Sequence, residues 1–75
     1  MKYIEALIED GASISVGALD DIECVAAASD AHNSLAMLVR RDGETVAALL
    51  KRLDKAVGRF YADGDVTDEV NAQRD

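Results

Sequence analysis

A single domain is the most that 75 residues can build, and a domain this small buries only about 60% of the surface its unfolded chain exposes. The lone cysteine, Cys24, excludes an internal disulfide and a cysteine-based zinc site, so self-association is the expected supplement to a small core. A formal net charge of −7 argues against direct binding to DNA, RNA or an anionic membrane, because each depends on cationic groups that displace counterions or meet phosphates.

Apolar residues make up 49% of the chain and proline is absent, a composition that folds. No apolar run approaches the roughly 18 residues of a membrane span, and Met1-Lys2-Tyr3-Ile4-Glu5 lacks the apolar segment of a secretory signal, so a cytoplasmic location is expected. The charge is unevenly spread. Residues 1–39 set Lys2 against Glu5, Glu9, Asp10, Asp20, Asp21, Glu23 and Asp30, a net of −6. Residues 40–62 carry six cations against three carboxylates, a net of +3, and residues 63–75 set Arg74 against five carboxylates, a net of −4.

In chain order, Tyr3, Ile4, Leu7 and Ile8 share one face of a segment from Lys2 to Asp10, with Gly11 placed to leave a helix. A short helix is the reading, and an edge strand its competitor. From Ala12 the apolar period falls to two: Ile14, Val16 and Ala18 alternate with Ser13, Ser15 and Gly17. Leu19-Asp20-Asp21 then turns the chain, and Ile22, Cys24, Ala26 and Ala28 form the second arm of a hairpin. After a polar loop, Ser29 to Ser34, the stretch from Leu35 to Arg40 predicts a third strand with Leu35, Met37 and Val39 inward.

The strongest element is a helix from Val46 to Tyr61, whose stripe is Val46, Leu49, Leu50, Leu53, Val57, Phe60 and Tyr61. Thr45 is its expected N-cap and Gly64 lies just past its end, with Lys51, Arg52, Lys55 and Arg59 outward. The expected fold is therefore α+β: a short N-terminal helix, a three-stranded antiparallel sheet and one long amphipathic helix packed on it. Residues 1–62 form the domain, and residues 63–75, with only Val66 and Val70 to bury, are expected to be a loose acidic tail. On this reading Val25, Ala27, Ala36 and Leu38 point away from the long helix. The N-terminal helix or a second copy must cover them, which makes these four the candidate self-association residues and a two-fold homodimer the expected assembly.

No stretch carries chemistry. His32 with Ser29, Asp30 and Ser34 suggests a triad, but neighbours on one short loop rarely meet in that geometry, and no nucleophile elbow accompanies them. Asp63, Asp65, Thr67 and Asp68 resemble the opening of a calcium loop, yet its sixth and twelfth positions hold Asp68 and Arg74 where glycine and glutamate are needed. Cys24 reads as a small buried hydrophobe, and Asp42-Gly43-Glu44-Thr45 has a carboxylate where a phosphate loop needs a donor. We expect no enzyme, no cofactor and no metal. The outward cations read as a solvated helix face, or as a contact to an acidic surface.

The candidate binding residues are the carboxylates Glu5, Glu9, Asp10, Asp20, Asp21, Glu23 and Asp30. Clustered acids either keep a small protein soluble or occupy a basic groove shaped for nucleic-acid phosphates. In size, charge and lack of a catalytic constellation the chain resembles the small inhibitors encoded by phages and prophages, anti-CRISPR proteins among them. That resemblance implies a stoichiometric inhibitor in the host cytoplasm whose partner is a protein with a basic, nucleic-acid-binding surface. The passage from Ala36 to Arg40 into Gly43-Glu44-Thr45-Val46-Ala47-Ala48-Leu49 is similar to the strand-to-helix passage of HicB-type antitoxins, which implies a basic toxin as partner. A structural or assembly protein is the third reading.

Overall fold

The structure, a computed structural model, describes residues 1–31 and 33–72. Its elements run α1 (Lys2–Glu9), β1 (Ser13–Leu19), β2 (Ile22–Ser29), β3 (Ser34–Val39), α2 (Val46–Asp63), β4 (Thr67–Asp68) and α3 (Glu69–Ala72). The α+β class and the long helix packed on the sheet match expectation. Among the described residues the sheet has four strands in the order β1-β2-β3-β4, the first three antiparallel and β4 parallel to β3, so the expected three-stranded antiparallel sheet is corrected to a mixed one.

Helix α2 begins and ends where its local chemistry dictates. Thr45 Oγ1 accepts from Ala48 N at 3.1 Å, which satisfies one of the amides a helix start leaves unpaired. Gly64 takes the left-handed conformation with φ 75°, open to glycine at little steric cost, and its N–H returns to Phe60 O at 2.7 Å. Leu49, Leu53, Ala56 and Val57 are buried along the inner face, whereas Val46 and Tyr61, at the ends of the expected stripe, are 44% and 46% exposed.

Helix α1 packs beside α2 on the same side of the sheet, with Leu7 buried in the core and Tyr3 and Ile4 packed against it. It therefore does not cover the opposite sheet face. Met1 supplies no side-chain cap to α1; instead Asp54 of α2 reaches across, its Oδ1 accepting from Tyr3 N and Ile4 N at 2.9 Å each. The Tyr3 ring lies against Gly58, where an added Cβ would come within 2.6 Å of Cε2. Gly58→Ala is accordingly expected to destabilise the protein through displacement of Tyr3, by about 1–3 kcal/mol. In a Tyr3→Ala background the same change should stabilise it by up to about 1 kcal/mol, because alanine is the better helix former. A double-mutant cycle by urea unfolding checks this, and equal signs in both backgrounds would show that the ring is not held there.

The phase of β3 departs from expectation. Leu35 to Val39 is an unbroken apolar run, which a period of two fits in either phase. The ladder decides it: Ala26 pairs with Leu38 and Ala28 with Ala36, so Ala36 (0% exposed) and Leu38 (2%) join the core under α2. They are therefore not on the self-association face. An irregularity at Ala28/Ser29 lets Leu35 join the core as well. Met37 and Val39 move to the opposite face with Val25 and Ala27, and Val16, expected inside, is 41% exposed on the edge strand.

The expected loose tail is corrected too. Residues 67–72 form β4 and α3, Thr67 pairs with Ala36 and Asp68 with Met37, and Val70 is buried. Asp68 Oδ1 accepts from Asn71 N at 3.0 Å and starts the short helix. Arg74 lies outside the described residues.

Candidate functional site

The antiparallel hairpin positions most of the acids. Ser13 pairs with Ser29 at one end of β1 and Leu19 with Ile22 at the other. Asp30 directly follows Ser29, and Asp10 lies three residues ahead of Ser13, which places both at the open end of the hairpin. Asp20 and Asp21 make the turn at the far end with Glu23 behind them, about 20 Å away at the rise of an extended strand. Glu5 and Glu9, one helical turn apart, line the outer side of α1. All seven carboxylates are exposed. Apart from Glu5 and Glu9 on α1, they form not one cluster but two acidic ends separated by β1, whose sequence Ser-Ile-Ser-Val-Gly-Ala-Leu carries no charge.

Strand β1 is the edge of the sheet, and every residue of it except Ile14 is exposed. Behind it, on the face that neither α1 nor α2 covers, lies a shallow depression of about 300 Å³ lined by Ser15 to Leu19, Val25, Ala27 and Met37. A second and larger cleft, of about 600 Å³, opens between the start of β2 and the β3–α2 loop. Here Glu23 and Asp42 stand among Arg40 and Arg41, so Glu23 belongs to a mixed-charge surface. Cys24 lines the same cleft, half-buried where full burial was expected.

The outward cations of α2 do not act alike. Arg52, read from sequence as one of a solvated row, is a structural clamp. Its guanidinium donates from Nε to Glu44 Oε2 at 2.7 Å and from Nη2 to Glu44 Oε1 at 3.0 Å, a two-pronged pair. Nη1 donates to Glu69 Oε2 at 3.0 Å and Nη2 also to Val39 O at 2.9 Å. Glu69 Oε1 in turn accepts from Val39 N at 3.0 Å, so the two side chains replace the strand partner Val39 would otherwise lack beyond the end of β4. Lys55 and Arg59 line a groove of about 330 Å³ beside Thr67 and make no ion pair among the described residues.

The Arg52 guanidinium, by its hydrogen bonds, holds Glu44 well below the ordinary carboxylate range, at about 2 against 4.5, and the Arg41 N–H at 3.0 Å adds to this. Because the folded value lies below the unfolded one, the stabilisation is complete above about pH 4.5 and is lost as pH falls from there towards 2. Thermal melts across that window are expected to decline in the natural protein and to flatten in Glu44→Gln. An equal decline in both would assign the acid sensitivity to another carboxylate.

Among the described residues no three of His, Cys, Asp and Glu come together as a metal site. The calcium-loop reading is displaced by the roles its residues hold, Thr67 and Asp68 in β4 and Glu69 on Arg52 and Val39. His32 of the suggested triad lies outside the described residues. No described helix is long and apolar enough to cross a membrane. No protein-family model matches the chain, and neither a curated protein nor a solved structure matches it.

Proposed function

We propose that the protein is a non-enzymatic binding module of the cytoplasm that acts stoichiometrically on a partner presenting a basic surface, one that normally holds nucleic acid. The observation that carries this reading is the exposure of all seven N-terminal carboxylates at the two ends of one hairpin and along the adjoining helix. Arg52, by contrast, is committed to internal contacts. Carboxylates held on a paired hairpin and a helix meet a cationic groove with little ordering left to do, and complementary charge speeds the encounter. Blocking of this kind is what an inhibitor resembling the phage anti-CRISPR proteins would perform. An antitoxin-like role towards a basic toxin is the second reading, favoured by the passage of β3 through a tight loop into α2.

The test is recovery of the partner from host extract, with identification by mass spectrometry, followed by reversal of Asp20, Asp21 and Glu23 to lysine. Binding is expected to fall at least about tenfold and to weaken steeply between low and high salt. Salt-independent binding that survives the reversal would defeat the electrostatic reading.

A further inference from the structure

The uncharged edge between the two acidic ends points to how a partner docks, an inference that rests on the acidic-surface reading. We propose that β1 is a strand-addition site, and that its occupant is an extended segment of another protein with apolar residues at alternate positions and basic residues at both ends. Three observations converge on this occupant.

The first is the edge itself. Ser13–Leu19 is seven residues long, and half of its backbone amides and carbonyls face away from β2. Exposed edges are ordinarily defended by lysine, proline, a bulge or a covering element; β1 has no charge and no proline along its length, and its one irregularity, between Gly17 and Leu19, leaves Ser13 to Gly17 in regular register. The second is the depression behind it. Between Ser15, Gly17 and Leu19 on β1 and Val25, Ala27 and Met37 behind them, about 300 Å³ stands open, and a Cβ built on Gly17 would meet nothing within 4 Å. An added strand sends alternate side chains to this face, so the depression takes an apolar side chain from the segment while main-chain hydrogen bonds supply the attachment.

Charge is the third and selects against the obvious rival, a second copy. Two β1 strands related by a two-fold axis run antiparallel, which sets the Asp10 and Asp30 end of one copy beside the Asp20 and Asp21 end of the other. Like charges would then meet at both ends of the junction, a repulsion that disfavours self-pairing. A segment with basic ends meets carboxylates at each end in either strand direction.

The probe is a short synthetic peptide of alternating valine and threonine with lysines at both ends, compared with the same core ended by glutamates. Added to the full protein, the lysine-ended peptide is expected to slow amide exchange in Ser13–Leu19 and to shift the resonances of Val25, Ala27 and Met37. The glutamate-ended peptide should do neither. Ser15→Lys, which places a cation at the exposed rim of the depression, and the pair Asp10→Lys with Asp21→Lys should each weaken binding at least about tenfold, with melting curves confirming that the variants fold. Equal binding of the two peptides, shifts that leave β1 unprotected, or sedimentation showing copies paired through β1 would each overturn the proposal. Against the partner recovered from extract, loss of binding on charge reversal with none from Ser15→Lys would overturn strand addition and leave the acidic-surface reading standing. Salt-independent binding lost only on Ser15→Lys would instead overturn the acidic reading, and with it the basic ends required of the occupant.

Discussion

Leu53→Ala is expected to remove a large part of the protein's stability, lowering the unfolding free energy by about 2–5 kcal/mol. The side chain is fully buried at the middle of α2, in the cluster formed with Leu49, Val57, Ala26 and Leu38. The sheet side of that cluster includes three alanines, Ala26, Ala28 and Ala36, whose short side chains cannot swing in to fill the space a leucine leaves. A domain of this length has roughly 4–11 kcal/mol in total, so the variant should be substantially unfolded at physiological temperature. Urea titration followed by circular dichroism measures the loss, with half-buried Leu50→Ala as the milder control. Equal midpoints for Leu53→Ala and the natural protein would mean that the helix packs on the sheet through another face.

Arg52→Ala is expected to release the last described elements of the chain while leaving the hairpin and α2 in place. The substitution removes the charged bond to Val39 O, which alone contributes about 1.5–3 kcal/mol, and takes from the Glu69 carboxylate its ion pair with Arg52. β4 has two residues and α3 four, so neither holds without that clamp. Amide exchange in residues 67–70 and at Val39 should accelerate by about ten- to a hundredfold, with little change in β1 and β2. Arg52→Lys should restore only part of the protection, since an ammonium cannot present the planar fork that spans Glu44, Glu69 and Val39. Uniform acceleration across the sheet would show that β4 and α3 open only with the whole fold.

The parts of this fold legible in the sequence are those set by local chemistry. The stripe of α2, the hydroxyl of Thr45, the glycine at 64 and the period-two hairpin each specify their element without help from distant residues. What escaped was set at a distance. The phase of β3 is fixed by pairing with Ala26 and Ala28, and β4 is too short to leave a pattern of its own. Asp54 caps a helix fifty residues away, and Gly58 is small because Tyr3 lies on it. The acids of the candidate site were legible as exposed residues. Their separation into two ends follows only once the hairpin register places Asp10 and Asp30 at one end and Asp20 and Asp21 at the other. Arg52 was misread because its spacing matches that of Lys55 and Arg59, whereas its partners Glu44 and Glu69 lie on separate segments.

The parallel pairing of β3 with β4 sets the order in which the molecule assembles. Ladder contacts from β1 to β3 join neighbours in the chain, but Ala36 and Thr67 stand 31 residues apart, with the whole of α2 between them. Closing a loop of that length costs about 3 kcal/mol of chain entropy, and two ladder rungs return little against it until α2 is already seated. Refolding should therefore proceed through the meander and long helix first, with the fourth strand docking late. Substitutions at Thr67 or Val70 would then speed unfolding while hardly slowing folding, whereas those at Leu49 or Ala26 would slow folding itself.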